Sequence, residues 1–146
     1  MNRKLQAVAC LGTEEGSSLC GTVKFYQMEK GTLVEADIHG LPRAGFFAFH
    51  IHEGNNCDGV GFANTLGHYN PTGEKHPDHA GDLPPLLSCD GNAYMQVLTE
   101  RFLAKEVMGR TVVIHSGTDD FQSQPAGNAG QKIACGVIRA CCRGII

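Results

Sequence analysis

Apolar and polar residues alternate most cleanly between Gly45 and Glu53. Read as a β-strand, this stretch turns Phe47, Phe49 and Ile51 to one face and Ala48, His50 and His52 to the other. The two histidines then stand about 6.6 Å apart at their Cα atoms, near enough to grip one ion together. Similar alternation predicts strands over 4–10, 21–27, 31–38, 92–99, 110–115 and 132–138. Val23 and Phe25 oppose Thr22, Lys24 and Tyr26, and Tyr94 alternates with Met95 and Val97. Leu33 and Ala36 mark a less regular third strand. Val112 and Ile114 face the core, while Thr111, Val113 and His115 face outward. Residues 100–107 read as a short helical turn or a loop, and 141–146 as a tail without assigned structure. The strands are short and turn residues recur every ten positions or so. That rhythm predicts an all-β sandwich or barrel of antiparallel strands.

Two segments break the alternation, 54–87 and 116–131, both rich in turn-forming residues. A segment as long as the first, without regular elements of its own, is functional or disordered. It carries His68, His76, His79 and Asp82, so function is the better reading. A metal ion supplies the order that a core does not.

Composition narrows the picture. The length of 146 residues suits one domain spanning 1–146. A net charge of −3 with no basic run argues against nucleic-acid binding. No apolar run reaches the roughly eighteen residues of a membrane span. The first twelve residues hold a short basic region, but their apolar part is too short and broken for a signal peptide. The chain as written therefore reads as cytoplasmic, or as exported with a leader already removed. Seven cysteines leave at least one thiol without an internal partner. No Cys-x-x-Cys occurs, which speaks against a thiolate zinc site, and adjacent Cys141 and Cys142 are poorly placed to bond each other.

The histidines divide by chemistry. His76, His79 and Asp82, together with His68, offer three nitrogens and one carboxylate, a tetrahedral zinc set. His50, His52 and His115 offer imidazoles alone, which suits copper. His68 lies between the sets, and its two ring nitrogens allow it to serve both ions as a bridge.

These residues carry a resemblance. The stretches 49–53, 67–71, 79–84 and 113–115, then Asp119, 127–130 and 134–138, make the chain similar to the copper–zinc superoxide dismutase family, bacterial members above all. The resemblance implies an eight-stranded Greek-key β-barrel or flattened sandwich with two long functional loops. It implies copper at His50, His52, His68 and His115, and zinc at His68, His76, His79 and Asp82. It makes Asp119 a carboxylate joining His50 to His76, and pairs Cys57 with Cys135 in a disulfide. Cys10, Cys20, Cys89, Cys141 and Cys142 receive no role. The implied activity is dismutation of superoxide to O2 and H2O2, with His68 carrying a proton, in a protein that is often a homodimer. The chain departs from the family in three places. Lys132 stands where the family has an anion-guiding arginine, keeping the charge without the planar fork. The link between His76 and His79 is short and turns at Pro77. The loop from His115 to Cys135 is short and poor in charge, which weakens electrostatic steering. Arg139, Arg143 and Lys105 read as solvated. Copper delivery or storage, or a zinc-stabilised binding module with an idle copper site, are the alternatives; the complete ligand set favours the enzyme.

Overall fold

Every second residue of the long strands points into one core. The computed structural model describes residues 3–141. Its strands are β1 (Lys4–Leu11), β2 (Cys20–Gln27), β3 (Thr32–His39), β4 (Gly45–Phe47), β5 (Phe49–His52), β6 (Leu86–Ser88), β7 (Ala93–Thr99), β8 (Thr111–His115), β9 (Lys132–Val137) and β10 (Arg139–Ala140). Ala7, Ala9 and Leu11 of β1, Val23 and Phe25 of β2, and Val112 and Ile114 of β8 meet inside. In β3 the inward residues are Val34, Ala36 and Ile38, a regular alternation; Leu33 is only half-buried, which corrects the irregular pattern expected there. Phe47, Phe49 and Ile51 are fully buried, each contributing about 1.5–3 kcal/mol of transfer free energy.

All pairings are antiparallel. One sheet runs β10-β1-β2-β3-β7, a second β4-β6, a third β5-β8-β9. β3 neighbours β7 rather than β4, so the chain crosses to the far side of the core and returns, as in a Greek key. Gly12 and Cys135 exchange backbone hydrogen bonds at 3.0 Å and draw β1 to β9.

The expected eight strands appear as ten stretches. The histidine strand changes partner at Ala48, whose N–H donates to Gly117 O and whose carbonyl accepts from His115 N–H, each at 2.9 Å. The last strand likewise crosses between sheets at Ile138, which is buried in the core. β6 claims the end of the segment read as loop. One helical turn, α1 (Ala104–Val107), forms within 100–107; Glu106 starts it by accepting the Leu103 N–H at 2.6 Å. Arg139 and Lys105 are exposed. Cys142 and Arg143 lie outside the described residues. Among those described, no helix is long and apolar enough to cross a membrane.

Candidate metal centre

β5 sets the spacing of the centre. One of its edges pairs with β8, and the other receives the first long loop. Across that second edge His50 stands opposite Asp82 and His52 opposite His68. Tyr69 N–H donates to Ile51 O at 2.8 Å and Ile51 N–H to Gly81 O at 2.9 Å. The loop thereby covers the outer face of the strand, leaving His50 0 % and His52 2 % exposed. His115 arrives from the end of β8 beside them.

Two groups of ligand atoms result. His50, His52, His68 and His115 bring one nitrogen each within 4.8 Å of one another. A second such group is His50, His68, His76 and Asp82. His79 stands at its rim, with Nδ1 3.3 Å from His68 Nδ1 and 3.2 Å from Asp82 Oδ2. Where the sequence suggests His79 as a zinc ligand, the tightest group thus holds His50 in its place. His68 belongs to both groups: its Nδ1 lies 2.8 Å from Asp82 Oδ1, and its ring is 4.0 Å from that of His50.

The hydrogen bonds fix which nitrogens remain bare. Carbonyls and carboxylates only accept, so each ring N–H facing one must donate. His52 Nδ1–H donates to Leu66 O at 2.8 Å and His115 Nδ1–H to Gly130 O at 3.2 Å. Asp119 accepts from His50 Nε2–H at 2.8 Å and from His76 Nε2–H at 2.7 Å. His50 Nδ1, His68 Nε2 and His76 Nδ1 are left buried with no hydrogen-bond partner. An unsatisfied buried group costs about 1–3 kcal/mol, so three facing the same space point to a cation. The spacing agrees. His52 Nε2 lies 3.2 Å from His115 Nε2, and His76 Nδ1 3.1 Å from Asp82 Oδ2. Ligands about 2.0–2.1 Å from a tetrahedral ion are themselves about 3.3 Å apart.

The profile described as "Copper/zinc superoxide dismutase (SODC)" matches residues 19–138. The chain belongs to the copper/zinc superoxide dismutase family. It is 42 % identical over 94 % of its length to "Superoxide dismutase [Cu-Zn] 2" of Aquifex aeolicus, of which 89 % is covered. It is 32 % identical over 87 % to "Superoxide dismutase [Cu-Zn]" of Deinococcus radiodurans, of which 81 % is covered. Among solved structures, a SOD-like protein from Bacillus subtilis is 25 % identical with TM-score 0.79, covering 89 % of this chain and 96 % of that one.

Copper and zinc are the family's metals, and the bare nitrogens and Asp82 offer donors for both. Copper/zinc superoxide dismutases are stapled by a disulfide, and here Cys57 and Cys135 form it, against Phe62 and Val113. Cys10, Cys20 and Cys89 are exposed thiols. Lys132 pairs with His115 in the β8–β9 register. Its ammonium is tied down, donating to Thr65 Oγ1 at 2.7 Å and to Leu66 O at 3.1 Å. The Leu66 carbonyl therefore serves Lys132 and His52 at once. Nothing in the periodicity marks Thr65, Leu66 or Gly130, because two of them act through backbone carbonyls. Gly127 is required where it stands: it has φ +73, and a Cβ there would run into Asp119 Oδ1 and His76 Nε2.

Burial dominates the protonation of the centre. It pushes His50 down, His52 well down, and His115 down to about 4. Burial alone would raise Asp119, but hydrogen bonds from His50, His76 and the Phe121 N–H outweigh it and hold the carboxyl well below its usual range. Burial also lowers Lys132. His50, His52 and His115 therefore stay neutral, with lone pairs free to bind metal. The unfolded chain protonates His115 below about 6.5, whereas the folded chain resists to about 4. Metal-free protein should lose stability as pH falls between those values, on the order of 3 kcal/mol from His115, and gain none above about pH 6.5. Thermal melts followed by circular dichroism check this; a flat profile from pH 6.5 to 4 contradicts it.

Proposed function

We propose that this chain dismutates superoxide to O2 and H2O2, with His50, His52, His68 and His115 holding copper and His68, His76, His79 and Asp82 holding zinc. The observation that carries the reading is His68, a buried ring with one nitrogen beside Asp82 and the other bare toward His50 and His52. Held by these residues, copper would supply a one-electron redox couple for superoxide, and zinc, which is not redox-active, would supply fixed positive charge. The chain's residues do the rest. His68 Nε2 is placed to hold a proton for the peroxide product. Asp119 locks the rings of His50 and His76 in orientation and tautomer. Lys132 offers the superoxide anion a positive charge that Thr65 and Leu66 keep beside His52.

Purified protein loaded with one copper and one zinc per chain is expected to remove superoxide well above free copper, with chelator controls. A rate no higher than free copper overturns the enzyme reading. Lys132→Ala is expected to lower kcat/KM about tenfold with metal content unchanged. Added salt should slow wild type more than the variant, because the lost term is a screened charge. An equal salt response would remove Lys132 from the anion's path. The homodimer implied by the family belongs to this proposal too, and sedimentation velocity reads it as the mass of two chains rather than one.

A further inference from the structure

The short link from His76 to His79 has no strand beside it, yet its backbone is held on all sides. Gln124, from the second long loop, grips His76 as a neighbouring strand would. His76 N–H donates to Gln124 Oε1 at 2.9 Å, and Gln124 Nε2 donates to His76 O at 2.7 Å. Arg101, just past the end of β7, grips the other half. Its Nη1 donates to Pro77 O at 2.8 Å and to His79 O at 3.0 Å, with Nη2 3.5 Å from Asp78 Oδ1. The turn closes internally through Asp78 N–H to Lys75 O at 2.7 Å, and His79 N–H reaches Asp82 Oδ2 at 3.0 Å.

We infer that Arg101 and Gln124 are positioning residues: a two-part clamp that presets the His76 and His79 rings to receive zinc. The inference rests on the zinc reading above. Both residues act on the backbone, and neither donates an atom to either ligand group. Ordering a free backbone costs about 1–2 kcal/mol per residue, a cost that would otherwise fall on metal binding. The one internal bond of the turn, Asp78 N–H to Lys75 O, leaves the carbonyls of His76, Pro77 and His79 to neighbouring elements. The Arg101–Asp78 ion pair is exposed on both sides and contributes little. The work lies in the guanidinium holding two carbonyls at once, which an ammonium on a flexible stem does poorly.

The test measures zinc affinity of the full-length, metal-stripped protein by competition with a chromogenic chelator. Arg101→Ala and Gln124→Met are each expected to lower it about 10- to 100-fold, as loss of supporting partners does at other metal sites. Arg101→Lys should fall between, and copper affinity should hold within about threefold. Cobalt(II) in the zinc site reports geometry directly, and its visible bands should shift in Arg101→Ala. Should Arg101→Ala fail to fold, Arg101→Lys and Gln124→Met still decide. Zinc affinity within threefold of wild type in these variants overturns the clamp alone. Parallel loss of zinc and copper also overturns it, showing general loosening instead. Wild-type protein that takes up no zinc overturns the metal reading, and the clamp with it.

Discussion

Replacing His68 with alanine is expected to empty both halves of the centre. The ring sits in both ligand groups, so its loss removes a donor from each. Superoxide removal should fall by at least about 100-fold, toward the rate of free copper, and elemental analysis should find both metals depleted. Asp82→Ala is the contrast. Asp82 belongs to the second group only, so zinc should weaken while copper stays. Copper and zinc retained independently of His68 would overturn the shared ring.

Opening the Cys57–Cys135 disulfide should have the largest effect on stability. The bond closes a loop of sequence separation 78, worth about 4.5 kcal/mol in unfolded-chain entropy. For a chain of 146 residues that is a fall of about 15 °C in Tm. Comparing the Cys57→Ser, Cys135→Ser double variant with wild type, both metal-free, checks it; a fall under about 2 °C contradicts the chain-entropy account. The effect should reach the centre as well. Cys57 packs against Phe62, whose carbonyl accepts from Thr65 Oγ1 at 2.9 Å, and Thr65 in turn holds Lys132. Superoxide turnover should therefore become more sensitive to salt in the double variant, as the ammonium loses its fixed place.

Much of the fold was legible because a sheet with one apolar face on the core and polar side chains on the other writes its register into the chain. Phe47, Phe49 and Ile51 fill the core, and Ala48, His50 and His52 occupy the opposite face. Short elements left no such trace. β6 has three residues behind Pro84 and Pro85, too few to alternate, and the change of partner at Ala48 leaves the pattern untouched. The ligand histidines stood out by type and spacing. Their supports did not: the Leu66 and Gly130 carbonyls are invisible in side-chain chemistry. Arg101 and Gln124 look like any surface residues in loops. The one available hint was the shortness of the link between His76 and His79, which implies outside support without saying whence.

Leu66 has φ 60 and ψ −150, a conformation nearly reserved for glycine and costing of order 1–3 kcal/mol. What keeps it there is the pull of two donors, His52 and Lys132, on its one oxygen. With that oxygen shared and its own N–H donating to Ala63 O at 3.2 Å, the Leu66 peptide is anchored from both sides, and Gly67 O, accepting the Glu53 N–H at 2.9 Å, carries that anchorage on to the His68 segment along the edge of β5.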